Sequence, residues 1–282
     1  MEQLLKTAQI QMKVLTKKTD ALDLAEKLIE EEVPRDTDLI CLPEMFCCPY
    51  ESIHFPAYAE PEGGPAWRRL SQIARDRGCW LQAGSVPEID EAGHIYNTAY
   101  VFDRTGRQAA RHRKTHLFDI DVEGGQHFHE SETLTAGDQV TVFETEFGPV
   151  GLCICYDIRF PEMVRLMADR GARLILVPAA FNLTTGPLHW ELLFRSQAMY
   201  SQVYCLGTSD ARDPAASYQA WGHTLAADPW GRVTGELDEK PGVLLSTLDL
   251  SEADRVRDQI PLLRHRRKDL YHIEWTGKGG DE

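Results

Sequence analysis

Short apolar runs alternate with helix-periodic segments along this chain, in two blocks separated by hairpin-like strand pairs. In the first block, residues 7–12 alternate polar and apolar like a half-buried strand, and residues 19–32 repeat Leu and Ile at helical spacing. Residues 38–43 form an apolar run halted by Pro43, residues 64–77 are again helical in pattern, and residues 80–86 return to an apolar run. Strand patterns without helices follow at 95–103 and 108–114 around Thr105-Gly106, then at 140–146 and 150–155 around Phe147-Gly148-Pro149. The alternation resumes with a helix opened by Pro161 and running to residue 170, a strand at 172–178, a helix at 187–201 and a strand at 203–208. Proline suits a first helical turn, because its missing donor would be unpaired there anyway. Strand patterns at 223–228 and 243–249 flank Pro229-Trp230-Gly231, and a charged C-terminal segment follows. This pattern predicts an α/β fold in which mixed sheets are covered by helices. With no repeat, low-complexity stretch or Pro/Gly/Ser linker, residues 1–282 read as one domain with a tail from about residue 261.

Charge and cysteine usage narrow the function. Thirty Lys and Arg against 44 Asp and Glu give a net charge of −14, which argues against a nucleic-acid partner. The longest apolar stretch, residues 174–181, falls far short of the roughly 20 residues a membrane helix needs. The first residues mix acidic and basic side chains where a secretory signal would need a basic start and an unbroken apolar core, so a cytoplasmic protein is expected. Seven cysteines, an odd number in a chain of this kind, predict reduced and mostly buried thiols.

Three segments place a reactive residue where an apolar strand stops, the position from which α/β proteins present active groups. They are Leu42-Pro43-Glu44-Met45-Phe46, Arg113-Lys114-Thr115-His116-Leu117-Phe118, and Gly151-Leu152-Cys153-Ile154-Cys155-Tyr156-Asp157-Ile158-Arg159-Phe160-Pro161-Glu162. Singly, each has a bland explanation: a solvated charge, or an inert cysteine in an apolar strand. Together, a thiol, a carboxylate and an amine are the parts needed for covalent attack on a carbonyl or nitrile carbon.

These segments resemble the Glu-Lys-Cys triad segments of the nitrilase superfamily of carbon–nitrogen hydrolases, and the similarity runs from Gln9 to Tyr271. Within that superfamily, residues 181–193 (FNLTTGPLHWELL) and 218–223 (YQAWGH) look most like omega-amidases, which hydrolyse 2-oxoglutaramate and 2-oxosuccinamate. The resemblance implies a four-layer α-β-β-α sandwich, pairing into homodimers or larger homo-oligomers, with no cofactor and no metal. It implies Glu44 as general base, Lys114 as the cation that stabilises an oxyanion, and Cys155 as nucleophile. A second glutamate that holds the lysine corresponds to Glu130, for which an exposed loop acid is the alternative.

Cys153 competes with Cys155, since residues two apart share a face of a strand. The resemblance and the position of Cys155 at the turn favour Cys155. His127, His129 and Glu130 could be read as metal ligands, but no Cys or His partner lies at zinc-site spacing, so residues 119–130 read as a mobile cover over the pocket. Arg159 is the candidate for holding a substrate carboxylate through its planar fork, the alternative being a brace to Asp157 or Glu162. Phe181 and Thr185 are expected, by resemblance, to supply an apolar wall and a hydroxyl donor.

The expected function is hydrolysis of the terminal amide of a small dicarboxylic acid monoamide through a cysteine thioester. The alternatives are an amidase of deaminated glutathione or of N-carbamoyl compounds, and a catalytically silent scaffold.

Overall fold

The computed structural model describes residues 4–277, so the expected domain extends beyond the described residues at both ends. Its first half runs β1 (Leu4–Gln11), α1 (Lys18–Glu32), β2 (Leu39–Cys41), α2 (Phe55–Tyr58), α3 (Pro65–Arg77), β3 (Trp80–Ile89), β4 (Ile95–Phe102) and β5 (Gln108–Arg113). A small hairpin, β6 (Asp119–Asp121) and β7 (His127–His129), leads across to the second half. There follow β8 (Thr141–Thr145), β9 (Gly148–Leu152), α4 (Pro161–Asp169), β10 (Leu174–Ala179), α5 (Gly186–Ser201), β11 (Tyr204–Ser209), β12 (Leu225–Ala227) and β13 (Val233–Glu236). The chain then returns through β14 (Gly242–Asp249) to end in α6 (Ser251–Gln259) and α7 (Leu262–His265).

Two six-stranded mixed sheets result, in the orders β14-β1-β2-β3-β4-β5 and β13-β12-β11-β10-β9-β8. Strands β1, β2 and β3 are parallel, as are β9, β10 and β11. Each parallel crossover carries a helix, as parallel pairing requires.

The helices form where apolar residues recur at helical spacing. On α1 the buried residues are Ala21, Leu22, Ala25 and Ile29. They share a core with Ala8, Ile10 and Ile40 of the first sheet and with Leu70 and Ala74 of α3. Helix α3 starts at Pro65 and stops at Gly78, whose φ of +63° is the left-handed conformation that ends many helices. Helices α4 and α5 cover the second sheet with Met163, Met167, Trp190 and Phe194. The sheets' other faces meet each other: Leu5, Leu39 and Trp80 of the first pack with Phe143, Val150, Leu174 and Leu176 of the second. The four-layer α-β-β-α arrangement expected from the resemblance is therefore the one the chain forms.

One local reading needs correction, and two others gain structure. The polar side of β1 does not face water: Gln9 and Gln11 are fully buried between the sheets. Gln9 Nε2 donates to the Gly207 and Leu225 carbonyls of the second sheet at 3.0 and 3.1 Å, satisfying buried donors whose loss of partners would cost about 1–3 kcal/mol. The charged C-terminal segment contains α6, and residues 119–130 contain the β6–β7 hairpin.

Candidate active site

The ends of β2, β5 and β9 converge at one edge of the sandwich. β2 stops at Cys41, and Leu42 and Pro43 carry the chain to Glu44. Met45 then takes a φ of +49°, a conformation costing an L-residue about 1–2 kcal/mol, and its N–H is held by Ser85 Oγ at 3.0 Å. Lys114 follows directly on β5, its N–H donating to the Asn97 carbonyl of β4 at 2.8 Å. Beyond β9 the chain turns at Cys155, φ +46°, which begins a short 3-10 turn over Cys155–Arg159. A left-handed non-glycine residue at one reactive position, Cys155, and another directly after Glu44, at Met45, are the kind of backbone strain that collects at functional sites.

The side chains form a closed electrostatic cluster. Lys114, Glu44 and Glu130 are all fully buried, with Lys114 Nζ 3.0 Å from Glu44 Oε1 and 2.9 Å from Glu130. Glu44 Oε1 also accepts from Asn97 Nδ2 at 2.8 Å and lies 3.1 Å from the Tyr50 hydroxyl. That hydroxyl is 2.8 Å from Glu130 Oε1, and Glu130 Oε2 accepts the Phe118 N–H at 2.7 Å. Glu44 Oε2 has no hydrogen-bond partner, and the Glu44 carboxyl and the Cys155 thiol interact with each other. Glu130 is thus part of the buried cluster rather than an exposed loop acid.

Burial pushes the Cys155 thiol far above its usual range, and the Glu44 charge pushes it further, while Lys114 and the Ala180 N–H act in the opposite sense. Burial also raises the Glu44 carboxyl, with Lys114 opposing. For Lys114, burial works to lower the ammonium, but Glu130 and Glu44 outweigh it and hold it above the ordinary lysine range. At rest the cluster therefore holds a neutral thiol, an ammonium and a Glu44 carboxyl whose proton affinity is increased.

Cys153 is not part of this group. It is fully buried in the core beside Cys205, and the turn at Cys155 breaks the shared strand face that the two-residue spacing predicts.

Asp157 ties the thiol's turn to the lysine's strand. Its Oδ2 accepts the Ile154 N–H at 3.0 Å and lies 3.0 Å from His112 Nε2; its Oδ1 accepts the His116 N–H at 2.9 Å and lies 2.7 Å from His116 Nδ1. Burial works to raise this carboxyl, but the bonds to His112 and His116 outweigh it and hold Asp157 well below the usual range. The His116 ring stacks on Phe160 at 3.6 Å.

Arg159 does not brace Asp157 or Glu162. It donates through Nη1 to His189 Nδ1 at 2.9 Å, and its guanidinium lies 4.5 Å from the Phe181 ring centre. Its Nε has no partner, and burial lowers its affinity for the proton while the Cys155 side favours the charge. Phe181 packs edge-on against Trp190. The Thr185 hydroxyl is turned to Asn182 Oδ1 at 3.2 Å, whereas Thr184 lines the adjacent cavity of about 440 Å³ with Tyr50, Phe128, Asn182 and Tyr218.

His127 and His129 do not converge with Glu130. Both turn to the exposed Asp121, at 2.7 and 3.2 Å, while Glu130 points inward to Lys114. His127 also lines the cavity, so the hairpin forms part of its wall.

Sequence reasoning missed Tyr50, Asn97, Asp157 with its two histidines, and Tyr218. Asn97 left a usable signal, a fully polar amide between Tyr96 and Thr98 in a strand with no exposed face.

The family model for carbon–nitrogen hydrolases matches residues 6–258. The omega-amidase NIT2-A of Xenopus laevis is 46% identical over 269 residues, spanning 95% of this chain and 97% of its own. Saccharomyces cerevisiae Nit3, a member of branch 10 of the nitrilase superfamily, superposes with a TM-score of 0.87 at 37% identity, covering 94% of this chain and 97% of that one. An amidase from Nesterenkonia sp. AN1, with the acetamide moiety of fluoroacetamide added covalently at its active-site cysteine, gives 0.79 at 26% identity, covering 94% and 95%.

Proposed function

Because this chain belongs to the carbon–nitrogen hydrolase family and is a hydrolase acting on amides, we propose that it cleaves the terminal amide of 2-oxoglutaramate or 2-oxosuccinamate through Cys155. The observation that carries the mechanism is the buried thiol beside the Glu44 carboxylate, one oxygen of which is unpartnered while the other is held by Lys114.

As Cys155 sulfur attacks the amide carbon, its proton passes to Glu44, whose raised proton affinity suits it to the transfer. The carbonyl electron pair moves to oxygen, where the Lys114 ammonium and the Tyr156 N–H following the nucleophile stabilise the oxyanion. Glu44 next gives the proton to the departing nitrogen, and ammonia leaves a thioester. A water deprotonated by Glu44 attacks that thioester, and its collapse returns the dicarboxylate and the thiol. Glu130 keeps Lys114 charged and aimed. The net charge of −14 repels an anionic substrate at long range, so a local cation is required; Arg159, with no carboxylate partner and Phe181 beside it, fits the substrate carboxylate.

In this reading the protein works in the cytoplasm as a homodimer. Exposed Leu188, Leu192 and Tyr200 on α5 support pairing of copies through that helix. No helix among the described residues is long and apolar enough to cross a membrane.

The test is ammonia release from 2-oxoglutaramate, succinamate, glutamine, deaminated glutathione and an N-carbamoyl amino acid. Highest kcat/KM on 2-oxoglutaramate is expected. A higher value for deaminated glutathione or the carbamoyl compound moves the protein to a neighbouring branch, and no ammonia from any of them, with Cys155 unlabelled by iodoacetamide, sinks the enzymatic reading.

A further inference from the structure

A second cavity, about 320 Å³, lies beside the first, and Tyr50, Glu51, Ser217 and Tyr218 line both. Its charged lining is acidic, with Glu51, Asp210 and Asp213 and no lysine or arginine. Two of these acids are engaged. Glu51 accepts from the Ser217 hydroxyl and lies 3.7 Å from His54, and Asp213 faces Lys13 at 3.6 Å. Asp210 differs. It follows the last residue of β11, is 2% exposed, and its Oδ1 has no hydrogen-bond partner. A buried carboxyl in that position stays neutral or takes up a cation. Burial pushes Asp210 well above the usual carboxylate range and the nearby Glu44 charge adds to it, so the apo site holds the acid form.

Resting on the amidase reading above, we propose that this second cavity receives the ammonia released at Glu44 and that Asp210 is the group that holds it. The Asp210 O–H bond breaks as its proton joins the ammonia lone pair, giving an ammonium ion against a carboxylate. The rings of Tyr50, Tyr58 and Tyr218 wall the cavity and favour a cation. With no lysine or arginine in its lining, this cavity offers the dicarboxylate product no counter-charge, so the two products part on opposite sides of the Tyr50–Tyr218 pair, whose rings lie 4.6 Å apart. Tyr218 stands in the field of both Cys155 and Asp210, which fits a shared wall.

The experiment reads ammonium binding without substrate, so its failure is distinguishable from failure of the amidase reading. Thermal unfolding of the full chain is followed in ammonium, potassium and sodium chloride at one ionic strength. Ammonium should raise Tm above either other salt in wild type and give no such rise in Asp210→Asn. Ammonium inhibition of 2-oxoglutaramate turnover, followed by dicarboxylate formation, should weaken about tenfold or more in Asp210→Asn. Ala216→Trp, on the exposed rim, should also remove the ammonium effect while leaving Asp210 in place. Equal ammonium stabilisation in wild type and Asp210→Asn, or potassium acting as well as ammonium, overturns the assignment.

Discussion

Strands β1, β2 and β3 of the first sheet and β9, β10 and β11 of the second occupy matching places, each trio parallel and flanked by antiparallel strands, yet their ends carry different chemistry. The first sheet delivers the charges, Glu44 beyond β2 and Lys114 beyond β5. The second delivers the thiol beyond β9 and the guanidinium of Arg159. Neither sheet contains a complete reactive set. Their packing makes one, and Asp157, bonded to both His112 and His116, is the fastening across the join. A repeated plan therefore does not supply redundancy, and damage to either half is expected to be felt at once.

The sharpest break lies in the second sheet. Cys155→Ala should abolish ammonia release, whereas Cys153→Ala should keep most of it and lose about 1 kcal/mol of stability through a small cavity. Ammonia assays with thermal unfolding of both variants decide this. A dead but folded Cys153→Ala beside an active Cys155→Ala would reverse the roles.

On the first sheet, Glu44→Gln and Lys114→Ala should each reduce kcat/KM by roughly 10²–10⁴ or more, through proton transfer and oxyanion stabilisation respectively. Glu130→Gln should cost less, since it acts through Lys114. Full activity in Lys114→Ala would leave the first sheet without its assigned share.

The fastening itself is tested by Asp157→Asn, expected to lower kcat roughly 10–100-fold and to cost about 2 kcal/mol or more of stability. The bonds to the histidines hold the Asp157 carboxyl below its unfolded value, so its contribution is complete above the unfolded carboxylate pKa and disappears as pH falls through the folded value. The stability gap between wild type and variant should stay level from about pH 5 to 8 and shrink below about pH 4, measured by denaturant unfolding. A gap that widens in acid would contradict the pairing.

Smaller effects separate substrate contacts within the second sheet. Arg159→Lys keeps the charge but loses the planar fork, and should raise KM for 2-oxoglutaramate about tenfold while a neutral amide is hydrolysed as by wild type. Equal damage on both substrates makes Arg159 a support for the fold. Thr185→Val should change KM by no more than about twofold, because the hydroxyl is turned to Asn182.

Glu44 and Cys155 were legible because each follows an apolar run that its strand had to end, whereas Lys114 follows the polar strand QAARHR and was legible only through the family resemblance. Their partners were not. Asn97 and Glu44, or His112 and Asp157, are far apart in sequence and meet only through sheet order and sheet packing. Alternation in β1 predicted its strand and misjudged its surroundings, because a period of two separates faces without telling water from a second sheet bearing carbonyls. Helix α6 escaped notice because it buries only Ala253 and Val256, too narrow an apolar stripe to stand out from its charges.

The return of β14 to pair with β1, from Leu4 opposite Asp249 to Gln11 opposite Gly242, sets the order in which a nascent chain can close. The first sheet stays one strand short until residues as late as Asp249 have left the ribosome, although its other strands emerge first. A chain stalled before Gly242 should leave the amides of β1 that face β14 exchanging freely with solvent, while those paired within β9, β10 and β11 are already protected. The half that is synthesised first is thus finished last.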